Sequence, residues 1–257
     1  MYRYAVIVLG GISLVYAISH LSPDKLGWSF AVFLVFTFFA SPMMSIKLPY
    51  GNIAMSFSDS LILLSFLFYG GAAAVIVAAI ETLSTCVFLK YKGMNFRKWM
   101  ISFNVGSNTF SALTTFLIWA FIVGSLGIES ELTETEALVP TLGILALLQF
   151  LSISISHSLV SPNLLKQSLW SVWRKECFAI SLAQFSGAGL AFVFYKLIHN
   201  ADVVTSAIVV FVLAVAYMNY RKTINDINES IEQAEKAERD KAAIEKQKAD
   251  EATRHAG

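Results

Sequence analysis

Apolar residues gather in seven blocks over the first 220 positions: 4–20, 28–44, 59–90, 100–124, 138–160, 176–198 and 203–220. A helix needs about 20 residues to cross the hydrocarbon core at 1.5 Å per residue. Most blocks match that length, but 59–90 exceeds it and is interrupted by Gly70-Gly71. The pattern predicts two helices, 59–69 and 71–90, meeting at the glycines, and eight helices in all. A single kinked helix there would give seven. Positions 45–58 break the helical pattern. Pro49 and Gly51 stop any helix, and Ile53, Met55 and Phe57 alternate with Asn52, Ala54 and Ser56. This predicts a short extended stretch ending in Ser58 or Asp59 as a helix N-cap.

Composition turns this pattern into a class. Hydrophobic residues make up 56% of the chain and charged residues 14%, with mean hydropathy +0.63. Seventeen of the 37 charges fall within positions 221–257, leaving the first 220 residues nearly uncharged. A soluble enzyme, a nucleic-acid binder and a disordered chain are excluded by that imbalance. Continuous rather than alternating apolar stretches exclude an outer-membrane barrel. The fold class expected is all-α: a polytopic transmembrane bundle of seven or eight helices, with eight favoured. Two domains follow, a membrane domain over 1–220 and a cytoplasmic helical stalk over 221–257. The partners are the lipid bilayer, a second copy of the chain and a small-molecule ligand. The net charge of +1 gives no field for nucleic acid.

The stalk is rich in Ala, Glu, Lys, Gln and Arg, all strong helix formers. Ile224, Ile227, Ile231 and Ala234 keep a 3-4-3 spacing, the seam of a short coiled coil, which predicts a dimer. Charge sets direction. Lys90, Lys92, Arg97 and Lys98, then Lys166, Arg174 and Lys175, then Arg221 and Lys222 mark cytoplasmic segments. Glu129, Glu131, Glu134 and Glu136 mark the opposite side. The C-terminus is thus expected in the cytoplasm. Eight helices place Arg3 and Lys47 there too, whereas seven place both outside. The apolar run after Arg3 could mimic a signal peptide, but without a clear cleavage site it is read as a retained first helix.

Polar residues within apolar helices need partners or water. Glu81, Asn108, Gln149 and Gln184 fall at similar depth on four different helices, and Asn104 lies one turn from Asn108. These five are the expected ligand-binding residues, at a midplane pocket. The amides have an alternative role as ties between helices. Glu81 is the most telling of them, because a carboxylate at that depth is costly and no Lys or Arg lies level with it. Asp59 is accounted for by helix capping. His157 is read as a satisfied histidine among serines. His20 and His199 fall at the outer interface. Cys86 and Cys177 form no CxxC pair or metal spacing. Gly10-Gly11 and Gly187-x-Gly189 are read as helix-packing glycines. No nucleophile–base set, phosphate loop or metal motif occurs, so no catalytic centre, metal or cofactor is expected.

The stretch 52–90 combines an extended segment, a Ser-Asp cap, an apolar run, Phe-Tyr-Gly-Gly and a helix of small residues. With Phe103-Asn104 after the basic loop and the Glu/Ala/Lys-rich exit helix, it resembles the membrane sensor regions of bacterial cyclic-di-GMP signalling proteins. Those regions precede GGDEF, EAL or HD-type output domains and are similar to the S-components of energy-coupling-factor vitamin transporters. The resemblance implies a sensory input module of the bacterial inner membrane that relays ligand binding or membrane state to a cytoplasmic output domain. Its rival is a substrate-binding transporter subunit. Block 28–44 lacks the Ala-x-x-x-Ala patch by which S-components dock their transport partner. That absence and the long exit helix favour signalling.

Overall fold

The computed structural model describes residues 2–21, 27–47, 54–56, 58–94, 97, 99–126, 135–160, 170–171, 173, 178–200 and most positions between 218 and 240. Among the described residues it is all-α apart from one pair of three-residue strands. In chain order the elements are α1 (Tyr2–Ser19), α2 (Trp28–Met43), β1 (Ser45–Lys47), β2 (Ala54–Ser56), α3 (Asp59–Tyr69), α4 (Gly71–Tyr91), α5 (Met100–Leu126), α6 (Thr135–Val160) and α7 (Phe178–Asn200). Strand β2 falls where the alternation at 52–57 predicts extended structure, and it pairs with β1 in a two-stranded sheet. Most of the expected helix 203–220, Cys177 and most of the basic segment 161–175 lie outside the described residues. The chain divides into two compact units: Met1–Ser45 with Met55–Asp202, and Ile46–Ala54 with Val203–Gly257.

Among the described residues, four helical segments are long and apolar enough to cross a membrane: Tyr2–Ser19, Gly71–Tyr91, Met100–Ser125 and Ala137–Ser158. Helices Trp28–Met43 and Asp59–Tyr69 are apolar but shorter. The outward faces of the first unit fit that reading. Val8, Ile12 and Val15 of α1 and Val35, Phe36 and Phe39 of α2 are all more than half exposed. Apolar side chains in that position suit lipid rather than water.

The predicted break in block 59–90 is present. Gly70 has φ +90°, a conformation that favours glycine, and its N–H caps α3 by bonding Phe66 O at 3.1 Å. Gly71 then starts α4 against the ring of Phe116, where a Cβ would have no room. Helix α3 is buried nearly all round. Leu61, Leu63 and Leu64 join Trp119, Leu138, Leu142, Leu145 and Ala191 in one apolar cluster, while Ile62 joins Ala17, Phe30, Val75, Val77 and Ala112 in another.

Helices α1 and α5 run parallel and very close. A Cβ on Gly10 would fall 2.2 Å from Gly106 Cα, and Thr109 Oγ1 donates to Gly10 O at 3.3 Å. At their starts, the Arg3 guanidinium lies 5.1 Å from the Trp99 ring centroid. The beginning of α1 therefore shares an end of the unit with the basic segment between α4 and α5. A break at Gly70 requires this placement. Of the glycines expected at helix contacts, Gly10 and Gly187 pack tightly, whereas Gly11 and Gly189 face open space.

Candidate functional site

Glu81 sits ten residues from either end of α4, about 15 Å by helical rise. It is 4% exposed. Its carboxylate gathers donors from three elements. Ser58 Oγ, at the N-terminus of α3, makes a short hydrogen bond to Oε1. On α4 itself, Thr82 Oγ1 donates to Oε2 at 2.9 Å and Thr85 Oγ1 to Oε1 at 3.4 Å. From α5, Asn108 Nδ2 donates to Oε2 at 3.3 Å and to Thr82 Oγ1 at 2.6 Å. These donors are all neutral. They satisfy the carboxylate without cancelling its charge.

The local sequence explains why the group is held so firmly. Thr85 stands at i+4 from Glu81, one turn on along the same face, and Thr82 is the next residue in the chain, so the two hydroxyls reach the carboxyl from different sides. Ser58 occupies the N-cap position of α3 but makes no side-chain cap bond. Asp59 is the first residue of the helix, not its cap, so capping by the Asp59 side chain is corrected. The α3 N-terminus itself opens onto the carboxyl cluster, and its dipole favours negative charge there.

A second carboxyl joins the first. Asp59 is close enough to Glu81 for their charges to interact, and the Gln184 side chain hydrogen-bonds the Asp59 carboxyl. This contact brings α7 to α3. Gly187, one turn from Gln184, makes it possible: a Cβ there would stand 3.2 Å from Ser60 N and 3.4 Å from Asp59 Cβ. On the other side, Ser41 of α2 and Ser84 of α4 share a 2.7 Å hydroxyl bond, and Ser84 donates to Glu81 O at 2.9 Å. Side chains from α2, α3, α4, α5 and α7 thus meet around one turn of α4.

Of the five residues expected at the pocket, Glu81 and Asn108 are bonded directly, and Gln184 joins through Asp59. Gln149, 1% exposed, lies on α6 against α5, and its backbone carbonyl accepts from Ser111 Oγ at 3.1 Å. Asn104 turns elsewhere: its Nδ2 contacts the buried Cys86 Sγ at 3.6 Å, one turn along the α4–α5 seam. Sequence reasoning missed Ser58, Asp59, Thr82 and Thr85. The run Glu81-Thr82-Leu83-Ser84-Thr85, which sets two threonines within one turn of the carboxyl, is the signal that could have found two of them. His157 packs edge-on to Phe103 with ring centroids 5.5 Å apart.

Three amide atoms in this region are buried with no hydrogen-bond partner: Asn108 Oδ1, Gln149 Nε2 and Gln184 Oε1. Such atoms are uncommon, because each costs about 1–3 kcal/mol. No group of three or more His, Cys, Asp or Glu that could hold a metal ion occurs among the described residues. No family model, curated protein or solved structure matches the chain.

Proposed function

We propose that the chain is a multi-pass sensory input module of the bacterial inner membrane. Its polar core binds a small ligand or registers membrane state, and its C-terminal helix relays the result to a cytoplasmic output domain. One observation carries the reading: a carboxylate at the midpoint of an apolar helix, held by neutral donors from neighbouring elements. An ionisable group at such depth is costly to keep. Packing alone is served more cheaply by Leu or Gln. Five helices contribute to the cluster, so a change in its occupancy bears on most of the bundle.

The basic segment between α4 and α5 favours a cytoplasmic position for that end of the unit, and Arg3 at the start of α1 lies beside it. Every described position between Met218 and Asp240 is helical, and Ile227 is 42% exposed. Pairing of two such helices through positions 224, 227, 231 and 234 would cover that apolar edge. The output suggested by the resemblance is synthesis or breakdown of cyclic-di-GMP.

The test is a chimera in which residues 1–257 precede a diguanylate cyclase domain. Glu81→Leu is expected to shift cellular cyclic-di-GMP severalfold relative to the parent, and Glu81→Gln to shift it less. Phe39→Leu, on the outward face of α2, is expected to leave it unchanged. Equal output from the parent and Glu81→Leu, at equal membrane abundance, would reject the reading.

A further inference from the structure

Away from the polar core, positive charge collects at one end of the first unit. Helix α4 closes in a tight turn. Gly93, at φ +87°, donates its N–H to Lys90 O at 3.1 Å, and Met94 N–H donates to Leu89 O at 3.0 Å. The turn sends the chain back towards α5 and leaves Lys90, Lys92 and Arg97 exposed at the shared end of the two helices. Arg3 joins them from a distant part of the chain, because α1 runs parallel to α5 and starts beside Trp99. The sequence holds no Asp or Glu over positions 1–23 or 82–128, so the segments that build this end bring no negative charge of their own.

The cations here are set against rings. Arg3 Cζ lies 5.1 Å from the ring centroids of both Tyr4 and Trp99, and Lys92 Nζ lies 4.7 Å from that of Phe88. A guanidinium that stacks by its face keeps its N–H edge for an acceptor, and that planar fork matches two oxygens of a phosphate. Tyr2, Tyr4 and Tyr91 are exposed at the same end. Tyrosine and tryptophan settle at the headgroup level of a bilayer, and a basic cluster at the end of a membrane helix attracts anionic lipid. A soluble anion would meet only the charge. A phospholipid meets both the charge and the rings, because its phosphate sits at the level where its apolar chains begin.

We infer that Arg3, together with Lys92 and Arg97, holds the phosphate of an anionic phospholipid where the start of α1 meets the α4–α5 turn. The inference goes beyond the sensory reading and needs only that the bundle lies in a membrane. Arg3 gives the site its selectivity, since it is the one cation of the three placed on two rings. A headgroup held there ties the start of α1 to the turn that leads into α5.

The experiment titrates the full chain in detergent with phosphatidylglycerol or phosphatidylcholine and counts retained lipid by native mass spectrometry. Preferential retention of phosphatidylglycerol is expected. Arg3→Lys keeps the charge but loses the planar fork, and should cut that preference severalfold. Arg97→Gln should cut it too. Thr37→Val should leave it intact, since that hydroxyl bonds Phe33 O on its own helix. A second arm compares melting temperatures in phosphatidylcholine nanodiscs with and without phosphatidylglycerol. The parent should melt higher with phosphatidylglycerol, and Arg3→Lys should gain less. Each variant is compared with itself, so a folding defect common to both lipids cancels. Both leaflets of a nanodisc carry the same lipids, so the result is independent of which side this end faces. Equal retention of the two lipids overturns the inference. Undiminished preference in Arg3→Lys overturns it as well, because diffuse charge then suffices. So does an equal rise in melting temperature from inorganic phosphate in phosphatidylcholine nanodiscs, which would make the occupant a soluble anion. If phosphatidylglycerol is not preferred while the chimera still responds to Glu81→Leu, the lipid site is rejected and the sensory reading stands.

Discussion

Replacing Glu81 with leucine tests the polar core by stability alone. The substitution removes the acceptor for four donors: Ser58, Thr82, Thr85 and Asn108. Thr82 and Thr85 can turn to the carbonyls of the preceding helical turn, as Thr109 and Thr114 already do at 2.9 Å. Asn108 keeps its 2.6 Å bond to Thr82. Ser58 Oγ, at the start of α3, loses its bond to Oε1. A lost bond between membrane helices averages about 0.6 kcal/mol, and a stranded buried donor costs about 1–3 kcal/mol. Four lost bonds at that average give a loss of about 2 kcal/mol, rising towards about 4 kcal/mol as the Asn108 amide loses its acceptor. Glu81→Gln behaves differently. It keeps one acceptor oxygen, and its new amide hydrogens can meet the free Asn108 Oδ1 once that side chain turns over. We expect a loss of about 1 kcal/mol or less. The assay is reversible unfolding in mixed detergent–SDS micelles, followed by circular dichroism. A Glu81→Leu variant within about 0.5 kcal/mol of the parent would refute the reasoning, because that is the usual range of a substitution that disturbs nothing.

Three further outcomes are expected. Gly10→Leu should detach α1 and lower the folded yield sharply, because its Cβ meets the Gly106 backbone, while Gly11→Leu should be tolerated; paired melting curves decide this. An impermeant thiol reagent on intact cells should label a cysteine placed within 129–136 and spare one at position 2 or within 90–98, with reversed labelling sinking the orientation. Ile227→Glu should reduce disulfide crosslinking through an engineered cysteine at position 224, since it puts like charges in the seam.

Much of the helical layout was legible because its causes are local. Block length and the glycine pair at 70–71 predict the α3–α4 break, and Pro49 with Gly51 predicts the interruption before α3. The meeting of Glu81 and Asn108 was readable too, since equal depth on adjacent helices brings side chains together. The rest depends on where α3 begins. Eleven residues do not span a membrane, so α3 starts inside the unit and carries Ser58 and Asp59 to the depth of Glu81. Read as a cap, Asp59 looks like surface chemistry. Only the close approach at Gly187 reveals it as a partner of Gln184. Asn104 shows the opposite limit. It shares a face with Asn108, yet one turn of translation is enough to hand it to Cys86.

The central claim is that the state of the Glu81 cluster reaches the C-terminal helix. Spin labels at position 234 in the nanodisc-reconstituted dimer measure this directly by pulsed electron paramagnetic resonance. The account predicts one interspin distance distribution for the parent and a shifted or broadened one for Glu81→Leu, with Phe39→Leu matching the parent. Identical distributions for the parent and Glu81→Leu would contradict it.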